Sequence, residues 1–140
     1  MAIIGSGSTK NVAQLMNSIR EYRLEKNISL LGYLENDRAF ALVKASKVFL
    51  FPSHEEGFGI AIVEALSCNV PVVAWRLPVY EEYFLDTIQM VDCWDIEYFA
   101  KLVICLVKDK KQFFSRDTKN LDNFSWEYVS SIVNGMIIQN

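Results

Sequence analysis

Histidine is almost absent from this chain, with His54 the only one among 140 residues. Zinc chemistry or a Ser-His-Asp relay would have to rest on that residue alone, so neither is expected. Cysteine is scarce as well. Cys68, Cys93 and Cys105 form an odd set with no C-x-x-C pair, which argues against a disulfide framework and a thiolate metal site and fits a reducing cytosol. No metal and no cofactor are expected. Positive charge is not in excess either: 14 Lys and Arg stand against 17 Asp and Glu, for a net charge of −3. Such a chain has no basic stripe to neutralise phosphates, which disfavours a nucleic-acid partner. No apolar run approaches the roughly 18 residues that cross a bilayer, and no charged-then-apolar leader opens the chain. The expectation is a soluble, unexported protein without a transmembrane segment.

What is present is apolar content, 51% of the residues. That suffices for one buried core in a chain too short for two typical domains, so residues 1–140 read as a single domain. Met1 to Ile4 reads as a buried strand, followed by a Gly5-Ser6-Gly7-Ser8 turn. The next segment, from about Lys10 to Glu25, places Val12, Leu15, Met16 and Ile19 at helical spacing. A strand over Ile28 to Leu31 ends at Gly32, a helix spans about Asp37 to Ala45, and a strand over Val48 to Phe51 stops at Pro52. A helix from about Ile60 to Cys68 then precedes a strand over Val70 to Ala74, and a short strand covers Ile88 to Val91. The remainder reads as helices over Ile96 to Lys108, Lys111 to Leu121 and Trp126 to Ile138.

Strands that are continuously apolar, alternating with helices, require a sheet covered on both faces. The predicted class is α/β: a parallel, Rossmann-like sheet with helices on both faces and a helical C-terminal region. The chain begins directly on strand residues, and the expectation is that a first strand-helix unit precedes it.

Open parallel sheets bind ligands at the carboxyl ends of their strands. Here Phe51-Pro52-Ser53 opens the loop His54-Glu55-Glu56-Gly57-Phe58-Gly59, which delivers the chain into the helix at Ile60. Its glycines allow close backbone approach, and the unpaired N–H groups of a helix start suit a diphosphate. The helix Ile60 to Leu66 is apolar nearly all round and is expected to be buried, with Glu64 as its one interruption. A buried carboxylate needs a specific partner, and ribose hydroxyls would serve. Glu56, just ahead of the helix, would project over the same cleft, accepting from sugar hydroxyls and favouring a developing oxocarbenium ion.

The stretch from Pro52 to Ala65 resembles the Glu-x7-Glu signature of group 1, GT-B-fold retaining glycosyltransferases. Asn69-Val70-Pro71-Val72-Val73-Ala74 is similar to that family's Gly-x-Pro-Val-Val-Ala strand. Ile3-Ile4-Gly5-Ser6-Gly7, Leu31-Gly32-Tyr33 and Phe124-Ser125-Trp126-Glu127 also resemble family segments. The resemblance implies one half of a GT-B fold, the half that binds a nucleoside diphosphate sugar. It implies that Glu56 contacts the transferred sugar as the catalytic residue, and that Glu64 binds the ribose. Ser53, Gly57, Phe58, Gly59 and Ile60 would complete the donor site, with no metal. Gly5, Gly32, Tyr33, His54 and Arg76 are weaker candidates. The family's phosphate-neutralising Arg and Lys, and its N-terminal acceptor domain, would lie upstream of Met1. Activity would then depend on an acceptor domain or chain, and the isolated chain is expected to be inactive. The cytoplasm, or the inner membrane face reached through the missing domain, is the expected location.

Departures from the pattern matter. Trp75-Arg76-Leu77-Pro78-Val79-Tyr80-Glu81-Glu82 replaces a usual Gly-Gly pair, with Glu82 at the family's acid position, and Asn69 stands where Gly is usual. Asn tolerates a left-handed backbone, so that turn should survive. His54 reads either as a proton shuttle or as an exposed loop residue, and Arg76 either as a substitute phosphate cation or as a solvated arginine. Trp75, Tyr80 and Tyr83 read as a ligand platform or as core and rim packing. The run Lys108, Lys110, Lys111 reads as a solvated junction. The alternative function is a non-catalytic nucleotide-sugar-binding or assembly module, with a homodimer through the C-terminal helix. A dehydrogenase domain is set aside, since Gly32-Tyr33-Leu34 offers no ribose-binding acid after the second strand.

Overall fold

A computed structural model of the chain describes residues 1–108. The helices expected over 111–121 and 126–138, and the segment Phe124 to Glu127, lie outside the described residues, as does any interface built on them. The structure is α/β with every strand pair parallel. Its contacts divide the chain into two compact units, residues 1–42 and the residues from 43 onward.

The first unit contains β1 (Ala2–Ile4), α1 (Thr9–Glu21) and β2 (Ser29–Gly32). β1 pairs with β2 in the register Ala2 with Ser29 and Ile3 with Leu30, with an irregularity before Ile4 meets Gly32. Ser8 caps α1 by accepting from the Asn11 N–H at 3.2 Å, which satisfies one of the orphan donors of the first turn. The helix stops four residues before the predicted Glu25. Arg23 takes a left-handed backbone with φ +55°, the Leu24 N–H returns to the Ile19 carbonyl and the Arg23 N–H to that of Arg20. That paired closure is a Schellman motif, and it ends a helix whatever apolar periodicity lies beyond it.

The chain passes into the second unit within α2 (Asn36–Ala45). There β3 (Phe49–Phe51), α3 (Ile60–Ser67), β4 (Val72–Trp75), α4 (Pro78–Phe84), β5 (Gln89–Val91) and α5 (Ile96–Lys108) follow in order. The sheet runs β3-β4-β5, with Phe51 opposite Ala74 and Trp75 opposite Val91. Central β4 explains its own composition. Val72 and Ala74 pack with Ile62, Ala65 and Leu66 of α3 and with Tyr80 and Phe84 of α4, whereas Val73 and Trp75 pack with Leu102 and Leu106 of α5. Alternate residues of a strand point to opposite faces, so two covered faces demand an unbroken apolar run. Each fully buried Val, Leu, Ile or Phe here contributes about 1.5–3 kcal/mol.

Asn69 ends α3 as expected of it. Its φ is +57°, and the Val70 N–H bonds the Ala65 carbonyl while its own N–H bonds that of Leu66, a second Schellman closure. Helix α4 was not foreseen. Leu77 is extended, with φ −117° and ψ 147°, and Pro78 then occupies the first helical turn, where its missing N–H costs nothing.

Candidate functional site

The site forms where β3 ends. Phe51 pairs with Ala74 in the ladder, and the chain then leaves the sheet at Pro52. The Ser53 hydroxyl donates to the Glu55 carbonyl at 3.1 Å, which tightens the turn. Phe58 anchors the far side of the loop, its ring edge-on to Tyr83 at 5.3 Å and tilted against Phe84 at 5.7 Å. Between these anchors lie Glu56, half-buried, and Gly57, around which a side chain would find open space.

Gly59 is the cap of α3 and is held in the left-handed region at φ +98°, ψ 52°. A Cβ there would meet Tyr80 Cε1 at 3.0 Å and Ile62 Cδ1 at 3.2 Å, so both conformation and space demand glycine. Gly59 has no side chain to cap the helix, and the Ile62 N–H turns back to the Gly59 carbonyl at 2.9 Å, which leaves the Ile60 and Ala61 N–H groups at the helix start as the donors for an outside acceptor.

The helix itself is one-sided, contrary to the expectation of burial all round. Ile62, Ala65 and Leu66 enter the core, while Ile60, Glu64 and Ser67, spaced at one-turn intervals, are exposed. Ile60 keeps 68% of its surface open despite being apolar. Composition suggested burial because only Glu64 and Ser67 break the apolar run, but a helix laid on a sheet covers one face. Glu64 is therefore an exposed carboxylate one turn into α3. Neither Glu56 nor Glu64 has an ion pair among the described residues.

The other candidates separate clearly. The His54 ring stacks on Trp94 with centroids 4.2 Å apart and planes at 17°, and lies 6.2 Å from Trp75. That is a packing arrangement. Arg76 donates to Asp92 at 2.8 Å and to Glu81 at 3.1 Å, and those hydrogen bonds raise its already high pKa. With two carboxylates neutralising it, Arg76 is not a free phosphate cation; the pairs instead tie the ends of β4 and β5 to α4. Trp75 and Tyr80 are buried and belong to the core, so neither is a ligand platform, while Tyr83 sits at the rim. Glu82 is exposed on α4.

Gly5, Gly32 and Tyr33 belong to the first unit. The Gly5 N–H donates to the Gly32 carbonyl at 2.8 Å, both glycines have positive φ, and Tyr33 is exposed. Gly5 and Gly32 border an open groove of about 740 Å³ between α1 and the β1-β2 pair, lined by Ile3, Val12, Leu15 and Met16 among others.

Two further residues bear on the site, one that the sequence did not single out and one that it read as ligand platform or core. One is Trp94, left-handed at φ +74° and 70% exposed, stacked on His54. The other is the Tyr80 hydroxyl, buried and without a hydrogen-bond partner among the described residues. Burial, and then the charge of Glu56, push that phenol up to about 12. The Pro78 helix start was the signal that could have placed Tyr80 behind the glycine loop.

No group of three or more His, Cys, Asp or Glu among the described residues is arranged to hold a metal ion. None of the described helices is long and apolar enough to cross a membrane.

A parallel α/β unit thus carries a loop from the end of β3 into a helix begun by Gly59, with Glu56 in the loop and Glu64 on the helix, neither in an ion pair among the described residues. The family model described as "Glycosyl transferases group 1" matches residues 1–121, and the chain belongs to that family. It is 31% identical over 103 residues to O-antigen chain mannosyltransferase B of Escherichia coli, an alignment covering 71% of this chain and 27% of that protein. Among solved structures, sucrose-phosphate synthase from Thermosynechococcus elongatus matches with a TM-score of 0.82 at 19% identity, over 99% of this chain and 37% of that one. HepE of Anabaena, in complex with UDP and glucose, matches with a TM-score of 0.78 at 21% identity, over 99% and 39% of the two chains. These two structures share the fold. The chain spans a little over a quarter of the length of curated relatives such as the mannosyltransferase.

Proposed function

We propose that this chain is the donor-binding domain of a retaining glycosyltransferase that takes a sugar from a nucleoside diphosphate sugar. The observation that carries this reading is the arrangement around Gly59, an uncapped helix start flanked by two acids with no ion pair. The N–H groups at the start of α3 donate to the diphosphate, and the positive end of the helix favours its charge. Glu64, exposed one turn along the helix, accepts from the ribose hydroxyls. Glu56, ahead of the helix, accepts from the transferred sugar and stabilises positive charge developing at its anomeric carbon. Retention, the acceptor domain that supplies the facing wall, and a site of action at the cytoplasmic face of a membrane are parts of the same proposal. The three cysteines, all free and two of them exposed, support a reducing compartment.

The direct test is amide hydrogen exchange with UDP-glucose, GDP-mannose and ADP-glucose. Protection of residues 56–64 by one of them is the expected result, and unchanged exchange at saturation with all three refutes the reading. A second reading, a binding or assembly module without turnover, is favoured by the apolar groove of the first unit, where Val12, Leu15 and Met16 are 38–41% exposed. Binding without transfer, even when a relative's acceptor domain is supplied, distinguishes it.

A further inference from the structure

Tyr80 has one group that core packing does not explain. Its side chain is wholly buried in the cluster formed by α3, α4 and β4, with a ring edge under Gly59 and further ring contacts to Phe51 and Phe84. Phenylalanine would satisfy every one of those contacts. The hydroxyl adds a polar group to an apolar cluster and finds no hydrogen-bond partner among the described residues, an arrangement that buried polar groups seldom adopt without a reason.

The nearby charge is Glu56. Its carboxylate lies within electrostatic reach of the Tyr80 hydroxyl and, after burial, is the second cause of the phenol's elevation to about 12. At neutral pH the hydroxyl therefore keeps its proton and is able to donate it to a carboxylate. Glu56 is half-buried, with no ion pair among the described residues, and sits next to Gly57, where the surrounding space is open. The Tyr80 ring lies under Gly59, three residues along the same loop from Glu56, so a donor without an acceptor among the described residues is packed against the loop that carries a carboxylate.

We propose that Tyr80 is the positioning residue for Glu56. When a sugar nucleotide fills the site, the Tyr80 hydroxyl donates to one oxygen of the Glu56 carboxylate, fixing its rotation and leaving the other oxygen for the hydroxyls of the transferred sugar. This rests on the reading of Glu56 as the sugar contact. Tyr80 touches no substrate and acts only through that carboxylate. That use accounts for a buried hydroxyl with no partner among the described residues.

The test is calorimetry on the full chain with UDP-glucose, GDP-mannose and ADP-glucose, each compared with its own nucleoside diphosphate. For the pair that binds, Tyr80→Phe should weaken the sugar conjugate about five- to tenfold, leave the free diphosphate within about twofold, and not lower the unfolding temperature. In a Glu56→Ala background, Tyr80→Phe should cause no further loss, because both changes remove one coupled interaction. Equal weakening of both ligands, or full additivity with Glu56→Ala, overturns the proposal. If Glu56→Ala alone fails to separate conjugate from diphosphate, or none of the three binds, the underlying assignment of Glu56 fails instead. A discriminating Glu56→Ala with a silent Tyr80→Phe leaves that assignment standing and removes only Tyr80.

Discussion

The ring of Tyr80 fills the space that any side chain at Gly59 would need. A Cβ at Gly59 would sit 3.0 Å from Tyr80 Cε1 while the backbone holds φ at +98°. The ring of a core tyrosine thus sets the shape of the loop that carries Glu56. Gly59→Ala should destabilise the chain by about 2 kcal/mol or more, since strain at positive φ adds to overlap with a packed ring. Gly57→Ala, with open space around it, should stay within about 0.5 kcal/mol. Urea unfolding of the two variants measures the difference, and equal effects would show that the contact is not rigid.

Removing the Tyr80 hydroxyl should not cost stability when no nucleotide is added. A buried hydroxyl without a partner is penalised by about 1–3 kcal/mol, so Tyr80→Phe is expected to be neutral or stabilising by about 1 kcal/mol. A loss above about 1 kcal/mol in chemical unfolding would mean that the hydroxyl already has a partner.

Alkaline stability should carry the same signature. The folded chain holds the Tyr80 proton up to about 12, above the ordinary 10.0 of the unfolded chain. Between those values the unfolded state binds fewer protons, so stability falls as pH rises, by up to about 1.4 kcal/mol per pH unit from this group. Below pH 10 both states are protonated and the contribution is fully present. Unfolding at pH 9, 10 and 11 should therefore show a steeper decline for the unsubstituted chain than for Tyr80→Phe, and parallel declines would contradict it.

The two acids should divide the ligand between them. Glu64→Ala is expected to weaken free diphosphate and sugar conjugate alike, by roughly tenfold or more for a lost charge-assisted hydrogen bond. Glu56→Ala should spare the free diphosphate and weaken the conjugate. Calorimetry returning the same loss for both ligands in both variants would end this division of labour.

Arg76, by contrast, should be silent in binding. Its guanidinium is held by Asp92 and Glu81 on the exposed surface, so Arg76→Ala should leave nucleotide affinity within about twofold. Its effect on melting temperature should be small and should shrink with added salt. A loss of diphosphate affinity that scales with ligand charge would instead make it a phosphate contact.

Much of this architecture was legible before any coordinates. The strands expected over Val48 to Phe51 and Val70 to Ala74 overlap the observed Phe49–Phe51 and Val72–Trp75, and the helix Ile96–Lys108 matches, because solvent exclusion acts on local pattern. The Glu56 to Glu64 spacing was equally visible. Errors arose where local pattern competes with closure or packing. The extra turn predicted for α1 ignored the left-handed Arg23, an unusual residue for that role, and α4 was hidden by attention to a departure from a family motif. Glu64 was expected inside because the count of apolar neighbours cannot say which face of a helix the sheet will cover.

The sequence by itself determined the α/β class, the loop at the end of Phe51, and the glycine and acid residues in that loop, since strand and helix periods and turn chemistry are properties of neighbouring residues. Tertiary structure alone decided that Ile60 and Glu64 face outward, that Arg76 is taken by Asp92 and Glu81, and that the Tyr80 hydroxyl lies unpaired near Glu56. Those relations join residues 4 to 24 positions apart. They depend on how α4 and β5 pack beside β4 and α3, and no local propensity encodes that geometry.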